Sequence, residues 1–220
     1  MFLNSSIARK QAVALTGLLL VLFVMAHLGG NLLFFAGPAV FNGYAHHLHS
    51  LGPLLWTARL GLLALFLIHI TLTSILVIDN IKARGGHKRY AVESSTDERS
   101  LSEKIMPYSG LYILIFVIYH IRDFAFANTL GPRSLINGHS YGIYGIVFNA
   151  FRDPVHDLLY IFFLCFLGLH LCHGLQSMSQ TFGFRPKWVA LIRSCGDYAA
   201  LLLIIVFSSI PVYVYLLSHA

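Results

Sequence analysis

Charge is what this chain has least of. Asp, Glu, Lys and Arg together make up 11% of its 220 residues, where a soluble domain carries about 25%. With 57% hydrophobic residues and a mean hydropathy of +0.71, a large soluble core is excluded and an integral membrane protein is indicated. Cysteine is also scarce. Cys165, Cys172 and Cys195 lie in or beside apolar stretches and form no C-x-x-C pair, which excludes a cysteine metal site and a disulfide framework. No repeat, low-complexity tract or second domain interrupts the chain, so 1–220 reads as one transmembrane domain. The net charge of +6 is confined to connecting segments, a membrane-topology pattern that gives no reason to expect nucleic acid as a partner.

What is present is five apolar stretches. Their bounds predict transmembrane helices at about 11–36, 54–78, 105–127, 155–180 and 194–218, each long enough at 1.5 Å per residue to cross about 30 Å of hydrocarbon. The first run exceeds the 7–15 apolar residues of a signal peptide and reads as a retained helix. The expected fold class is all-α, an integral membrane bundle of five transmembrane helices. Gly37–Pro53, Asn128–Pro154 and the basic stretch Phe184–Arg193 read as loops or turns, and Asp79–Lys104 as a solvated loop. A bend is expected at Pro211.

Basic residues orient the bundle. The N-terminus and the second and fourth connections hold Arg9, Lys10, Lys82, Arg84, Lys88, Arg89, Arg99, Lys104, Arg185, Lys187 and Arg193, against Arg59, Arg122, Arg133 and Arg152 on the other side. The positive-inside rule then predicts a cytoplasmic N-terminus and a multi-pass protein of the cell inner (cytoplasmic) membrane.

Against this apolar background the histidines stand out. An unpartnered imidazole in hydrocarbon costs several kcal/mol, so an intramembrane His is a functional hypothesis by default. His27 and His120 lie about 15–16 residues into helices that run outward, roughly 23 Å from the cytoplasmic end. His69 and His170 lie about 15 residues into helices that run inward. Counting alone yields an outer pair and an inner pair. A lone intramembrane His is commonly just hydrogen-bonded to a neighbour, but four matched in depth are hard to explain that way. Two imidazoles facing across a bundle make good axial ligands for haem iron, and such iron, closed on both sides, moves electrons. His173, one turn beyond His170, shares nearly the same face, so either could be the inner ligand.

The same residues resemble the five-helix, two-haem cytochrome b membrane anchor of succinate dehydrogenase and fumarate reductase. The resemblance covers nearly the whole chain. It rests on His27-Leu28 with Asn31, then Phe41-Asn42, Ala45-His46 and Ser50-Leu51; on His69 and His120; and on His170 with Gly174-Leu175, closed by Gly183. It implies two haem b groups, a distal one held by His27 and His120 and a proximal one by His69 and His170, with His173 at a position the family does not need for iron. It further implies that a flavoprotein and an iron–sulfur protein dock on the cytoplasmic face, in a complex open to higher oligomerisation. Dicarboxylate chemistry would belong to the flavoprotein, and this chain would exchange electrons with a quinone, commonly menaquinone.

Other residues attract roles within this scheme. Haem propionates need cationic or hydroxyl partners, for which Arg122, Arg59, Arg152 and His173 are candidates; snorkelling to headgroups is the plain alternative for the arginines. His46 and His49 are candidates for a quinone-side proton relay, since imidazole titrates near 6.5. His49 departs from the family, whose members can carry an acid there. Arg122 and Asp123 are expected to form an interfacial ion pair. The Lys82–Arg89 run is a positive-inside segment that can also meet the iron–sulfur protein or anionic lipid. Three competing readings are the cytochrome anchor of a hydrogenase or formate dehydrogenase, a membrane di-iron enzyme using His46, His47, His49, His170 and His173, and a transporter or haem-free structural anchor.

Overall fold

Residues 5–83 and 101–219 are described by a computed structural model. The chain is built almost wholly of helix: α1 (Ser6–Leu32), α2 (Pro38–Ser50), α3 (Pro53–Ala83), α4 (Leu101–His120), α5 (Gly142–Ala150), α6 (Pro154–Thr181) and α7 (Pro186–His219). Two short 3-10 turns (Leu33–Ala36 and Pro132–Ser134), a π-helical turn (Ile121–Ala125) and a two-residue hairpin (β1, Leu135–Ile136; β2, His139–Ser140) complete it. Among the described residues, five helical segments are long and apolar enough to cross a membrane, the shortest being Ile105–Ala125 at 21 residues, about 31 Å. The protein is an all-α membrane bundle, and its large apolar side chains are turned outward, among them Leu22, Leu60, Leu63, Ile118 and Leu202.

Helices α1 and α3 are antiparallel. Arg9, in the second turn of α1, meets Asp79 near the end of α3 with Nη1 2.6 Å from Oδ2. This marks the N-terminal end of the bundle. Helix α6 is the hub: it packs along α7 and also against α4 and α1, while α3 packs on α1. Small residues bring α6 and α7 close. Gly168 lies directly against Ile204, Ala200 is buried, and Gly196 faces Leu175. Close backbone approach of this kind gains dispersion contacts that lipid tails cannot supply.

Several connecting segments differ from expectation. Gly37–Pro53 is not a loop but carries α2, and the reason is punctuation. Gly37 takes φ 91° and ends the preceding turn, Pro38 starts α2 in its first turn, and Gly52 at φ 54° ends it before Pro53 opens α3. Phe184–Arg193 is likewise not a turn. Gly183 (φ 73°) closes α6, with Phe184 N–H donating to the Ser179 carbonyl and Gly183 N–H to that of Gln180, and α7 begins at Pro186 rather than at 194. Lys187 and Arg193 therefore ride on helix. Pro211 lies inside α7, buried. The first helix starts at Ser6, capped by the Ser5 hydroxyl accepting from Ala8 N–H, and the second runs on to Ala83. The polar segment expected as a loop is thus helical up to Ala83 and again from Leu101; the rest of it, including most of the Lys82–Arg89 run, lies outside the described residues.

Asn128–Pro154 is more than a loop too. The hairpin and α5 fold back over the end of the bundle opposite Arg9 and Asp79. A core of Phe34, Phe41, Val147, Phe151, Tyr160, Ile210 and Val214 joins α1, α2, α5, α6 and α7 there. Asn42 ties α2 to the start of α5. Its Nδ2 donates to the Tyr141 carbonyl and its Oδ1 accepts from Tyr144 N–H, capping α5 from outside. Tyr144 stacks on Phe34 with centroids 4.4 Å apart, and burial, with Tyr213 nearby, raises its phenol above the usual range. Gly145 is pressed onto the Ser134 carbonyl, where a β-carbon would collide with backbone. Gly145→Ala is expected to destabilise the fold by about 1–3 kcal/mol, seen as a lowered thermal midpoint in detergent.

Candidate functional site

The bundle brings its interior histidines together at two levels. At the far level, His27 of α1 and His120 at the end of α4 pack ring to ring, with centroids 5.6 Å apart and planes at 85°. Phe23 and Phe207 flank His27, and Phe116, Phe124 and Tyr160 surround His120. The Nδ1 of His120 is buried without a hydrogen-bond partner.

At the level nearer the N-terminal end lie His69 of α3 and His170 of α6, each other's electrostatic neighbours. Both rings are fixed by the same device. His69 Nδ1 lies 3.0 Å from the Thr16 hydroxyl on α1, and the adjacent Gly17 leaves room for its ring, whose Cε1 would be 3.2 Å from a β-carbon there. His170 Nδ1 lies 3.1 Å from the Ser109 hydroxyl on α4, with Gly110 next to it and Cε1 3.6 Å from a β-carbon. Thr16 and Ser109 are both buried.

These contacts assign protons. A hydroxyl has one hydrogen to give. Thr16 Oγ1 is placed to donate to the Ala12 or Val13 carbonyl, 2.8 and 3.1 Å away, and Ser109 Oγ to that of Met106 at 2.9 Å. A hydroxyl that gives its hydrogen to the backbone accepts from the imidazole, an arrangement in which Nδ1 carries the proton of the neutral ring and Nε2 keeps the lone pair. A metal-ligating histidine is typically prepared this way, its other nitrogen donating to an oxygen.

Spacing completes the geometry. Eleven residues separate Thr16 from His27 on α1, and eleven separate Ser109 from His120 on α4. Eleven residues are close to three helical turns, so each helix presents both groups on one face, about 16 Å apart along its axis. A metal held by one nitrogen of each ring at about 2.0–2.1 Å sets ring centroids about 6 Å apart. The 5.6 Å of the far pair and the unpartnered His120 nitrogen fit a metal held between facing imidazoles.

The remaining candidates fall as follows. His173 lies beside His170 at the near level. His46, His47 and His49 are exposed on α2, and the His49 ring is turned back to the Ala45 carbonyl, 2.7 Å away. Arg59 is half-buried over the Trp56 ring at 5.3 Å. Arg122 and Arg152 are exposed. The expected Arg122–Asp123 pair does not form. The π-helical turn after His120 carries Asp123 towards α6, where Oδ1 accepts from Arg133 at 2.8 Å and Oδ2 lies 2.6 Å from His156 Nε2 and accepts from Tyr160 at 3.1 Å. The two histidine groups of a di-iron reading are far apart, His46–His49 following the far end of α1 and His170–His173 lying at the level of Thr16.

Thr16, Ser109 and His156 are the residues that sequence reasoning missed, and Asp123 was given the wrong partner. The repeated hydroxyl–glycine pair, eleven residues before each far-level histidine, is the signal that would have found the first two. No family model, curated protein or solved structure matches the chain. Removing one hydroxyl leaves a buried imidazole N–H unsatisfied, so Thr16→Val is expected to cost about 1–3 kcal/mol. A double-mutant cycle of Thr16→Val with His69→Ala, read by thermal denaturation, should show strong coupling; additive losses would refute the bond.

Proposed function

We propose that the chain is a di-haem cytochrome b that anchors a complex of the succinate dehydrogenase and fumarate reductase type. It passes electrons between an iron–sulfur subunit and a quinone, with menaquinone the expected carrier. The observation that supports this most directly is the pair of histidine couples at two depths, each imidazole set by the same two helices. Haem iron held by two imidazoles has no open position and exchanges single electrons rather than activating oxygen.

In this reading His27 and His120 hold the distal haem, and His69 and His170 the proximal one. Thr16 and Ser109 orient the proximal rings and hold their Nδ1 protons. His170 is the chosen inner ligand because its Nδ1 has a hydroxyl partner across the helix interface, as that of His69 does; His173 is left to serve a propionate. Arg122, Arg152 and Arg59 are the cations available to propionates or headgroups at the far end. The aromatic packing around His120 excludes water from the distal pair. The balance of basic residues favours a cytoplasmic N-terminus in the cell inner membrane, with the proximal pair facing the flavoprotein and iron–sulfur subunits and the distal pair facing the quinone.

The test is a reduced-minus-oxidised absorption spectrum of the purified protein with haem quantified per chain. Two haems are expected, with a strong Soret band and a sharp α band. His27→Ala or His120→Ala should each remove one haem, and His69→Ala or His170→Ala the other, whereas His173→Ala should keep both. A haem-to-chain ratio near zero would overturn the proposal. Copurification of a flavoprotein and an iron–sulfur protein tests the type of complex, since a hydrogenase or formate dehydrogenase anchor would bring other partners.

A further inference from the structure

We propose that His156, held by Asp123, is the proton-accepting contact for a quinol hydroxyl at the far end of the bundle. This deepens the quinone reading above and rests on it.

The argument begins with the proton inventory of one ring. His156 lies in the first turn of α6, a helix opened by Pro154 and capped by Asp153, whose Oδ1 accepts from Val155 N–H. Its Nε2 is 2.6 Å from Asp123 Oδ2. An ionised carboxylate only accepts, so Nε2 carries a hydrogen, and in its neutral form the ring has its lone pair on Nδ1. That Nδ1 is buried and has no hydrogen-bond partner. A carboxylate that fixes the tautomer while the opposite nitrogen waits for a hydroxyl is the arrangement of a general base. A purely structural tether would account for the Asp123 contacts to Arg133, His156 and Tyr160. It would not account for an acceptor left without a donor.

The surroundings are aromatic. His156 is walled by Tyr160 at 4.6 Å, Phe151 at 5.4 Å and Tyr119 at 5.7 Å between centroids. Phe151 and Tyr160 belong to the buried core, whereas Tyr119 is half-buried at its edge. The site is continuous with the far histidine pair. The Tyr160 ring lies 6.2 Å from that of His120, and its hydroxyl donates to Asp123. Asp123 owes its position to the π-helical turn that follows His120 directly, a distortion that often marks functional sites.

The step is a proton transfer. The quinol O–H donates to Nδ1; the O–H bond breaks as the N–H bond forms, leaving a quinolate anion. The imidazolium is held against the Asp123 carboxylate, and no electron moves in this step. The other titratable or charged groups around the ring are Tyr119 from α4, Asp153, Asp157 and Tyr160 from α6, Arg133 through Asp123, and His219 of α7 through Asp157.

The experiment uses the purified haem-loaded protein and a fluorescent hydroxyquinoline N-oxide as a non-oxidisable quinol mimic. His156→Gln keeps an amide N–H for Asp123 and removes the basic nitrogen. Its haem spectrum should be unchanged while its affinity for the probe falls at least tenfold. In addition, Tyr119→Trp places a fluorophore beside the site, and the probe should quench it beyond the quenching of native Trp56 and Trp188. Wild-type affinity in His156→Gln, or no added quenching in Tyr119→Trp, overturns this proposal. A wild-type protein without haem overturns instead the function on which it rests.

Discussion

An imidazole placed in hydrocarbon must have its N–H satisfied by protein, because no water is there to do it. That requirement organises the bundle. His69 on α3 finds its acceptor on α1, and His170 on α6 finds its acceptor on α4. Each bond crosses a helix–helix interface that would otherwise be held by weak packing between apolar surfaces, and each hydroxyl is followed by a glycine beside the ring, tightly so at Gly17. The hydrogen bond and the close approach specify which helices are neighbours and at what height.

The five spans, the interior histidines and their grouping into two depths were legible in the sequence, because apolar length and helical rise depend on residue type and counting alone. The connecting helices were not. Segments such as 38–50 and 142–150 lie beside the far ends of the spans and, at 13 and 9 residues, are too short to give the signal of a crossing. Their bounds are set by Gly37, Gly52 and Gly142, whose positive φ values appear only in three dimensions. The start of α7 was obscured by its basic residues, which suggested a turn although Pro186 is a good first helical residue. The Asp123–His156 contact could not be read at all. It depends on a π-helical turn re-aiming one side chain across to another helix, and sequence spacing favoured the adjacent Arg122 as the partner.

The two ends of the bundle are built by different physics. Near Arg9 and Asp79 an ion pair joins the exposed ends of α1 and α3. At the far end, the hairpin, α2 and α5 form an aromatic cover tied down by Asn42, Asn149 and Asp123, each of which bonds segments distant in sequence. This cover shields the His120 level from the solvent side while retaining a few polar side chains within it.

Helices α1 and α4 each carry one anchoring hydroxyl and, eleven residues later, one far-level histidine. The bundle therefore contains two parallel rods with identical graduations. One residue inserted between Thr16 and His27 would turn the far half of α1 by about 100° and shift it by 1.5 Å, directing His27 away from His120 while leaving His69 in place. The distance between the two levels is thus a fixed property of the fold, protected by the integer number of turns that fits between hydroxyl and imidazole, and it cannot be tuned by small steps in helix length.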